Sequence, residues 1–182
     1  MMEMDKDCER ILIKEEELRE KVKEAAAWLD KRFEGSVPLA VSVLKGSVIF
    51  FCDLVRAMKI PVQMDFMTVS SYGNSSESSG IPKIVMDLAA PVQGRDVLLV
   101  EDIVDSGHSL AKMKSLLEGR GAKSFTVVTL LDKPSRRQVP VKADYSCFEV
   151  GNEFIVGYGL DYAQRYRNLP YIAVLKREIY EK

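Results

Sequence analysis

Residues Val97–Leu110 read VLLVEDIVDSGHSL, and this stretch decides the fold. Val97–Val100 is an apolar run with the length of a buried strand. EDIVDSGHS reads as a loop, and Leu110–Glu118 as the helix that follows it. Ser124–Leu131 (SFTVVTLL) is a second apolar strand. Strand, crossover helix and strand make a right-handed βαβ unit with parallel strands. Upstream, KEEELREKVKEAAAWLDKRF puts Leu18, Val22, Ala25, Leu29 and Phe33 on one helical face, with acids in the first turn and Gly35 as a stop. Pro38–Leu44 reads as a buried strand, Val48–Met58 as a helix, and Pro61–Ser70 as a strand with Met64 and Phe66 alternating against Asp65. Lys83–Leu88, Phe154–Tyr158 and Tyr171–Leu175 are shorter strand candidates. The alternation predicts one α/β domain over residues 1–182, with a mostly parallel central sheet flanked by helices.

Composition removes several function classes. The chain has 182 residues, 47% hydrophobic and 29% charged, with 26 basic residues against 27 acidic ones. A net charge of −1 argues against a nucleic-acid binder. His108 is the single histidine, so a zinc site needing two histidines cannot form within one chain. Cys8, Cys52 and Cys147 are far apart, with no CxxC, which fits reduced thiols in the cytoplasm. The most apolar stretch, Val41–Val55, is broken by Lys45 and Asp53, and MMEMDKDCER has no hydrophobic signal region. A cytoplasmic protein with no membrane partner is expected.

Ligands of open α/β sheets bind beyond the carboxyl ends of the strands. Glu101, Asp102 and Asp105 lie at that edge. Carboxylates so close together past a buried strand are costly unless something cationic or hydroxylic binds them. Ser106, Gly107 and Ser109 stand where the next helix starts, and exposed N–H groups there form a phosphate cradle. The pattern suggests a sugar-phosphate site, with acids for hydroxyls or Mg²⁺ and loop amides for phosphate. A blander alternative is a helix start capped by Asp105 or Ser106, which leaves Glu101 and Asp102 unexplained. GxGxxG and GxxxxGK[ST] are both absent. SSYGNSSESSG, over residues 70–80, has the composition of a surface linker, but its length inside a compact domain suits a lid.

VLLVEDIVDSGHSL resembles the phosphoribosyl-pyrophosphate (PRPP) motif of the type I phosphoribosyltransferases: an apolar strand, two acids, two apolar residues and D-[ST]-G-x-[ST]. VSVLKGSVIFFCDL, SSYGNSSESSG, LLDKPSRR and EFIVGYGLDYAQRYRNLPYI follow the order seen in the hypoxanthine phosphoribosyltransferases, the purine-salvage branch. The resemblance runs from about Leu12 to Tyr171. Ser106 and Ser109 stand where Thr is common, and His108 fills the variable position.

The resemblance implies the type I fold, with a small hood built from the N- and C-terminal segments and a flexible lid over 70–80. It implies transfer of a phosphoribosyl group from PRPP to hypoxanthine, with guanine as a further acceptor, releasing pyrophosphate and a nucleoside monophosphate. Glu101 and Asp102 would bind the ribose hydroxyls, directly or through Mg²⁺, and Asp161 would help hold a Mg²⁺ on pyrophosphate. Residues Asp105 to Ser109, with Ile103 and Val104 leading into them, would form the 5′-phosphate loop (Ser106, Gly107, His108), and Asp105 would be the general base. Lys133 would donate to the purine O6, Phe154 would stack on the base, and the Ile155 backbone would meet its edge. Lys45, Gly46 and Arg167 would contact pyrophosphate, with a cis Leu44–Lys45 peptide, and Ser71 and Tyr72 would head the lid. Taken in isolation, Lys133 is a surface lysine, Phe154 a core aromatic and Arg167 a solvated charge. The spacing of Tyr158, Tyr162 and Tyr166 is helix-like and reads as packing. A homodimer or homotetramer is implied. The rival readings are a non-enzymatic PRPP- or nucleotide-binding regulator on the same fold, and a phosphoribosyltransferase for another base.

Overall fold

The structure is a computed structural model that describes residues 3–70 and 83–181. Its elements in chain order are β1 (Cys8–Ile13), α1 (Glu15–Arg32), β2 (Leu39–Leu44), α2 (Val48–Ala57), β3 (Gln63–Ser70), β4 (Lys83–Met86), β5 (Asp96–Val104), α3 (His108–Gly119), β6 (Ser124–Asp132), β7 (Tyr145–Glu149), β8 (Ile155–Val156), β9 (Ile172–Leu175) and the short α4 (Arg177–Tyr180). The main sheet has six strands in the order β4-β3-β2-β5-β6-β7, and only β4 runs antiparallel to its neighbour. A separate antiparallel sheet, β1-β9-β8, joins the N-terminal segment to the C-terminal one.

Strand alternation explains the layers. Leu39 and Val41 of β2, with Leu99 of β5, face Leu110, Met113 and Leu117 of α3. Ala40, Leu98 and Val100 face the other way, onto Leu18, Val22 and Leu29 of α1 and Phe50, Phe51 and Leu54 of α2. The predicted face of α1 is therefore the buried one, and Gly35 (φ 76°) takes the chain out of the helix. Helices cover both faces of the sheet, and the central parallel strands β2, β5 and β6 are largely apolar where both faces are covered.

This topology positions the site. β2 leads through α2 to β3 on one side, while β5 leads through α3 to β6 on the other. The two connections diverge between β2 and β5, and a crevice opens at the carboxyl ends of those strands.

The sequence reading differs from the structure at several points. β5 does not stop at Val100. Its ladder to β6 continues through Glu101↔Thr129, Ile103↔Leu131 and Val104↔Asp132, so both acids sit on strand and the connecting loop is only residues 105–107. In β3, Met64 is 54% exposed while Asp65 is buried. The Asp65 carboxylate accepts the Phe66 and Ala90 N–H groups, both at 2.8 Å, which compensates its burial. β7 was not legible in the sequence. The tyrosine-rich stretch after β8 is a series of tight turns and not a helix. Among the described residues, no helix is long and apolar enough to cross a membrane.

Candidate active site

The crevice is a cleft of about 410 Å³ between the loop after β2, the loop after β5 and the turn that carries Asp161 and Arg167. Lys45, Gly46, Glu101, Asp102, Ile103, Val104, Asp105, Ser106, Gly107, Ser109, Asp161 and Arg167 all line it, so most of the expected site residues meet in one place. His108 is exposed beside it, with Nε2 3.1 Å from Gln138 Oε1. Lys133, Phe154 and Ile155 lie outside this lining. The lid over 70–80, with Ser71 and Tyr72, falls outside the described residues apart from the end of β3 at Ser70.

Three features make the floor. The Leu44–Lys45 peptide is cis, as expected. Ser47 donates from Oγ to the Val43 carbonyl at 2.7 Å and its Oγ lies 2.8 Å from the buried Ser42 Oγ, so hydroxyls hold the loop closed from below. Gly46 leaves no room for a side chain: a Cβ there would fall 1.5 Å from Asp102 Oδ2.

The phosphate side follows from α3. Its N-cap is Gly107, at φ 88°, and no side chain caps it, so the capping alternative for Asp105 and Ser106 does not hold. The first N–H groups of α3 are left for a ligand, at the positive end of the helix. Glycine is required at 107 on two counts, its left-handed φ and a Cβ position only 2.7 Å from Val141 Cγ2. The segment after Lys133 straps this loop in place. Arg136 Nε donates to Asp105 Oδ1 at 2.7 Å, Arg137 Nη1 to the Asp105 carbonyl at 2.6 Å, and the Gln138 N–H to the Ser106 carbonyl at 3.0 Å. Arg137 also pairs with Asp132. Arg136 and Arg137 were missed as site residues, although both stand in the quoted LLDKPSRR.

The acids differ in environment. Glu101 is buried, and burial, with the Asp102 charge beside it, pushes its carboxyl well above the usual range. Burial also raises Asp102, to about 6, against the Ile103 N–H at 2.8 Å and the Arg167 charge, which lower it. Across the cleft, Arg167 Nη2 pairs with Asp161 Oδ1 at 2.8 Å and Nη1 donates to the Gly159 carbonyl at 2.7 Å. Among the described residues, no group of three or more His, Cys, Asp or Glu side chains could hold a metal on its own.

A second set lies towards the C-terminal sheet. Lys133 is 7% exposed, its Nζ donates to the Glu153 carbonyl at 2.8 Å, and burial lowers its pKa. Its N–H donates to the Val104 carbonyl at 3.0 Å, which ties this set to the end of β5. Phe154 is partly exposed, with Tyr180 stacked 4.6 Å away and Tyr162 edge-on at 5.6 Å. Ile155 is buried, which leaves only its backbone for a ligand.

Residues 12–163 match the phosphoribosyl transferase domain family. The chain is 54% identical to the hypoxanthine-guanine phosphoribosyltransferase of Bacillus subtilis (strain 168), over 98% of this chain and 99% of that one. This chain belongs to the hypoxanthine phosphoribosyltransferase family. It is 50% identical to the Lactococcus lactis hypoxanthine-guanine phosphoribosyltransferase, over 98% of this chain and 97% of that one. The crystal structure of a Staphylococcus aureus hypoxanthine phosphoribosyltransferase superposes with a TM-score of 0.94 at 42% identity, covering 98% of this chain and 97% of that one. The chain also matches bifunctional TilS/HprT proteins of Listeria, of which it spans 28%. The type I fold read from the PRPP motif and the purine-salvage transferase class read from the four further stretches both hold for this hypoxanthine phosphoribosyltransferase family member.

Proposed function

We propose that the enzyme joins a 6-oxopurine, hypoxanthine or guanine, to PRPP, releasing pyrophosphate and IMP or GMP. The observation that carries this reading is the uncapped N-terminus of α3 at Gly107, set beside the buried Glu101 and the half-buried Asp102 in a cleft that Arg167 also lines. It offers amides for the 5′-phosphate, acids for the ribose hydroxyls and a cation for pyrophosphate, in the order in which PRPP carries those groups.

Asp105, oriented by Arg136, takes the proton from the purine nitrogen as that nitrogen bonds to C1 of the ribose. The bond from C1 to the pyrophosphate oxygen breaks, and Arg167 and the backbone of Lys45 and Gly46 meet the departing charge. Ser106, Gly107, His108 and Ser109 bind the 5′-phosphate, and Ile103 and Val104 lead the chain into that loop. Phe154 gives the base the ring face that Tyr180 does not cover, Lys133 donates to O6, and the Ile155 backbone meets the base edge.

Mg²⁺ fits this donor set: Asp102 is a crowded carboxylate raised to about 6, with the Asp161 charge nearby, and substrate oxygens would complete a hard cation's shell. Glu101 and Asp102 would hold it at the ribose hydroxyls and Asp161 would help hold it on pyrophosphate, in each case with substrate oxygens, and when bound it would neutralise charge on PRPP and pyrophosphate. The enzyme acts in the cytoplasm, and as a homodimer or homotetramer, the second reading being supported by the exposed Met64, Val85 and Met86 along β3 and β4.

Pyrophosphate release measured with hypoxanthine, guanine, xanthine and adenine tests the reading. Release with hypoxanthine or guanine, lost in excess EDTA, is the expected result. Binding of PRPP with no release for any base would instead support a regulator.

A further inference from the structure

Among the described residues, the non-glycine positions at positive φ are Tyr158 (49°), Ala163 (50°), Gln164 (66°) and Tyr166 (75°). All fall in the stretch that carries Asp161 and Arg167, together with Gly157 (103°) and Gly159 (106°). Side-chain-bearing residues are strained at such φ and persist there only when surrounding structure enforces it.

The turn's own bonds are local. Gly157 and Leu160 exchange N–H···O bonds at 3.0 Å, and Tyr162 and Arg165 do so at 3.3 and 2.9 Å. These close small loops but do not fix the loops against the cleft. Three side-chain bonds reach outside, of which one is long and exposed, from Lys45 Nζ to Gln164 Oε1 at 3.4 Å, and the other two end on buried rings. Tyr158 donates from its hydroxyl to Asp53 Oδ2 of α2 at 2.7 Å, and Tyr166 donates to Asp7 Oδ2, just before β1, at 2.8 Å. Both rings are buried, at 7% and 3% exposure, so each hydroxyl has a defined path to its carboxylate. Gly159 lies against the Gly46 carbonyl, since a Cβ at 159 would fall 2.0 Å from that oxygen. The strained turn is thus pressed onto the loop after β2 and pinned on either side of the contact. Asp7 and Tyr166 both lie outside the 12–163 family match.

We propose that Tyr166 with Asp7, and Tyr158 with Asp53, are positioning pairs that hold the strained turn so that Asp161 and Arg167 face pyrophosphate. The inference rests on the reading that this turn contacts the pyrophosphate of PRPP. Loss of either hydroxyl leaves the ring in the core but frees the backbone to relax, which moves Arg167 relative to Gly46. The effect should fall chiefly on PRPP and pyrophosphate, since Lys133 follows β6 and lies outside the turn, although Tyr162 of the turn meets Phe154 edge-on at 5.6 Å.

The test compares Tyr166→Phe, Tyr158→Phe, Asp7→Ala and Asp7→Asn by steady-state kinetics and thermal midpoint, with Arg167→Gln as reference. The three variants that remove a bond should raise the KM for PRPP on the order of tenfold, since small misplacements of a positioning group carry such costs. The KM for hypoxanthine should stay within about twofold. Asp7→Asn keeps an oxygen acceptor and should restore most of the PRPP affinity lost in Asp7→Ala. Tyr166→Phe combined with Asp7→Ala should be no worse than either alone, as expected for one shared bond. A lowered thermal midpoint with an unchanged PRPP KM would reduce the pairs to fold stabilisers and overturn the proposal. If Tyr166→Phe does not fold, Asp7→Ala and Tyr158→Phe decide by the same split. An unchanged PRPP KM in Arg167→Gln would overturn the pyrophosphate reading of the turn itself.

Discussion

Gly46 and Asp102 occupy neighbouring space so closely that a β-carbon on Gly46 would overlap the Asp102 carboxylate, 1.5 Å from Oδ2 and 2.6 Å from Cγ. The loop after β2 and the acid of β5 pack against each other, and under the proposed reading the contact would join the pyrophosphate side of the cleft to the ribose side. Gly46→Ala must push either the loop or the carboxylate away. The expected outcome is a folded protein whose kcat/KM for PRPP falls by about 10²-fold or more, the cost of misplacing groups by an ångström. Circular dichroism and PRPP titration check the two halves of that statement.

Asp105→Asn should keep the fold, because the Arg137 bond to the position-105 carbonyl and the Gln138 bond to Ser106 use backbone oxygens. Turnover should fall by roughly 10²–10⁴-fold, the usual worth of a general base. Retention of near-parental kcat would remove Asp105 from that role. Arg136→Ala should give a smaller fall, since it frees the carboxylate from its 2.7 Å partner without deleting it.

The sheet and the phosphate loop were legible because each is carried by a contiguous stretch. VLLV and SFTVVTLL are apolar throughout, and D-S-G-H-S puts small residues where a backbone must approach a ligand. The end of β5 was misjudged because Glu101 and Asp102 look like loop residues, while the ladder to β6 holds them on strand regardless of polarity. Arg136 and Arg137 were missed because a basic pair after a strand resembles a solvated surface, and their acceptors at Asp105 lie some thirty residues away. Tyr158 and Tyr166 show the same limit: their spacing suggested packing, which holds for the rings, but Asp53 and Asp7 are distant in sequence and the hydroxyl partners exist only in the fold.

The paired acids predict a pH dependence of ligand stabilisation. The Asp102 carboxyl is raised from its ordinary 3.8 to about 6, and Glu101 moves the same way. The folded protein therefore holds these protons more tightly than the unfolded chain does. Burial of the charged forms opposes folding increasingly as pH rises from about 4 through 6. Under the proposed reading, Mg²⁺ with PRPP would supply the missing compensation, and a ligand that binds only the folded state stabilises it. The increase in thermal midpoint caused by Mg²⁺ and PRPP together should be larger at about pH 7.5 than at about pH 5.5. Asp102→Asn should flatten much of that difference, whereas an unchanged profile would mean that the acids do not face the ligand.

Lys133 should decide which purines are accepted. Its backbone N–H is tied to Val104, one residue before Asp105, and its Nζ is held by the Glu153 carbonyl beside Phe154. The ammonium is thus fixed between Asp105 and Phe154, at 7% exposure. Burial lowers its pKa, so the site favours an acceptor that compensates the charge. An ammonium only donates. Hypoxanthine and guanine present an oxygen at position 6, while adenine presents an amino group and would set donor against donor. A pocket built for one hydrogen bond can reject the mismatched base by about 10⁴–10⁵-fold. Adenine should therefore give no useful turnover at concentrations that saturate with hypoxanthine. Lys133→Ala should raise the KM for hypoxanthine by roughly 10-fold or more while leaving that for PRPP within about twofold, because the sugar-phosphate contacts come from other elements. The opposite pattern, a raised PRPP KM with an unchanged purine KM, would assign Lys133 to the phosphate side and leave the base to be selected by other groups.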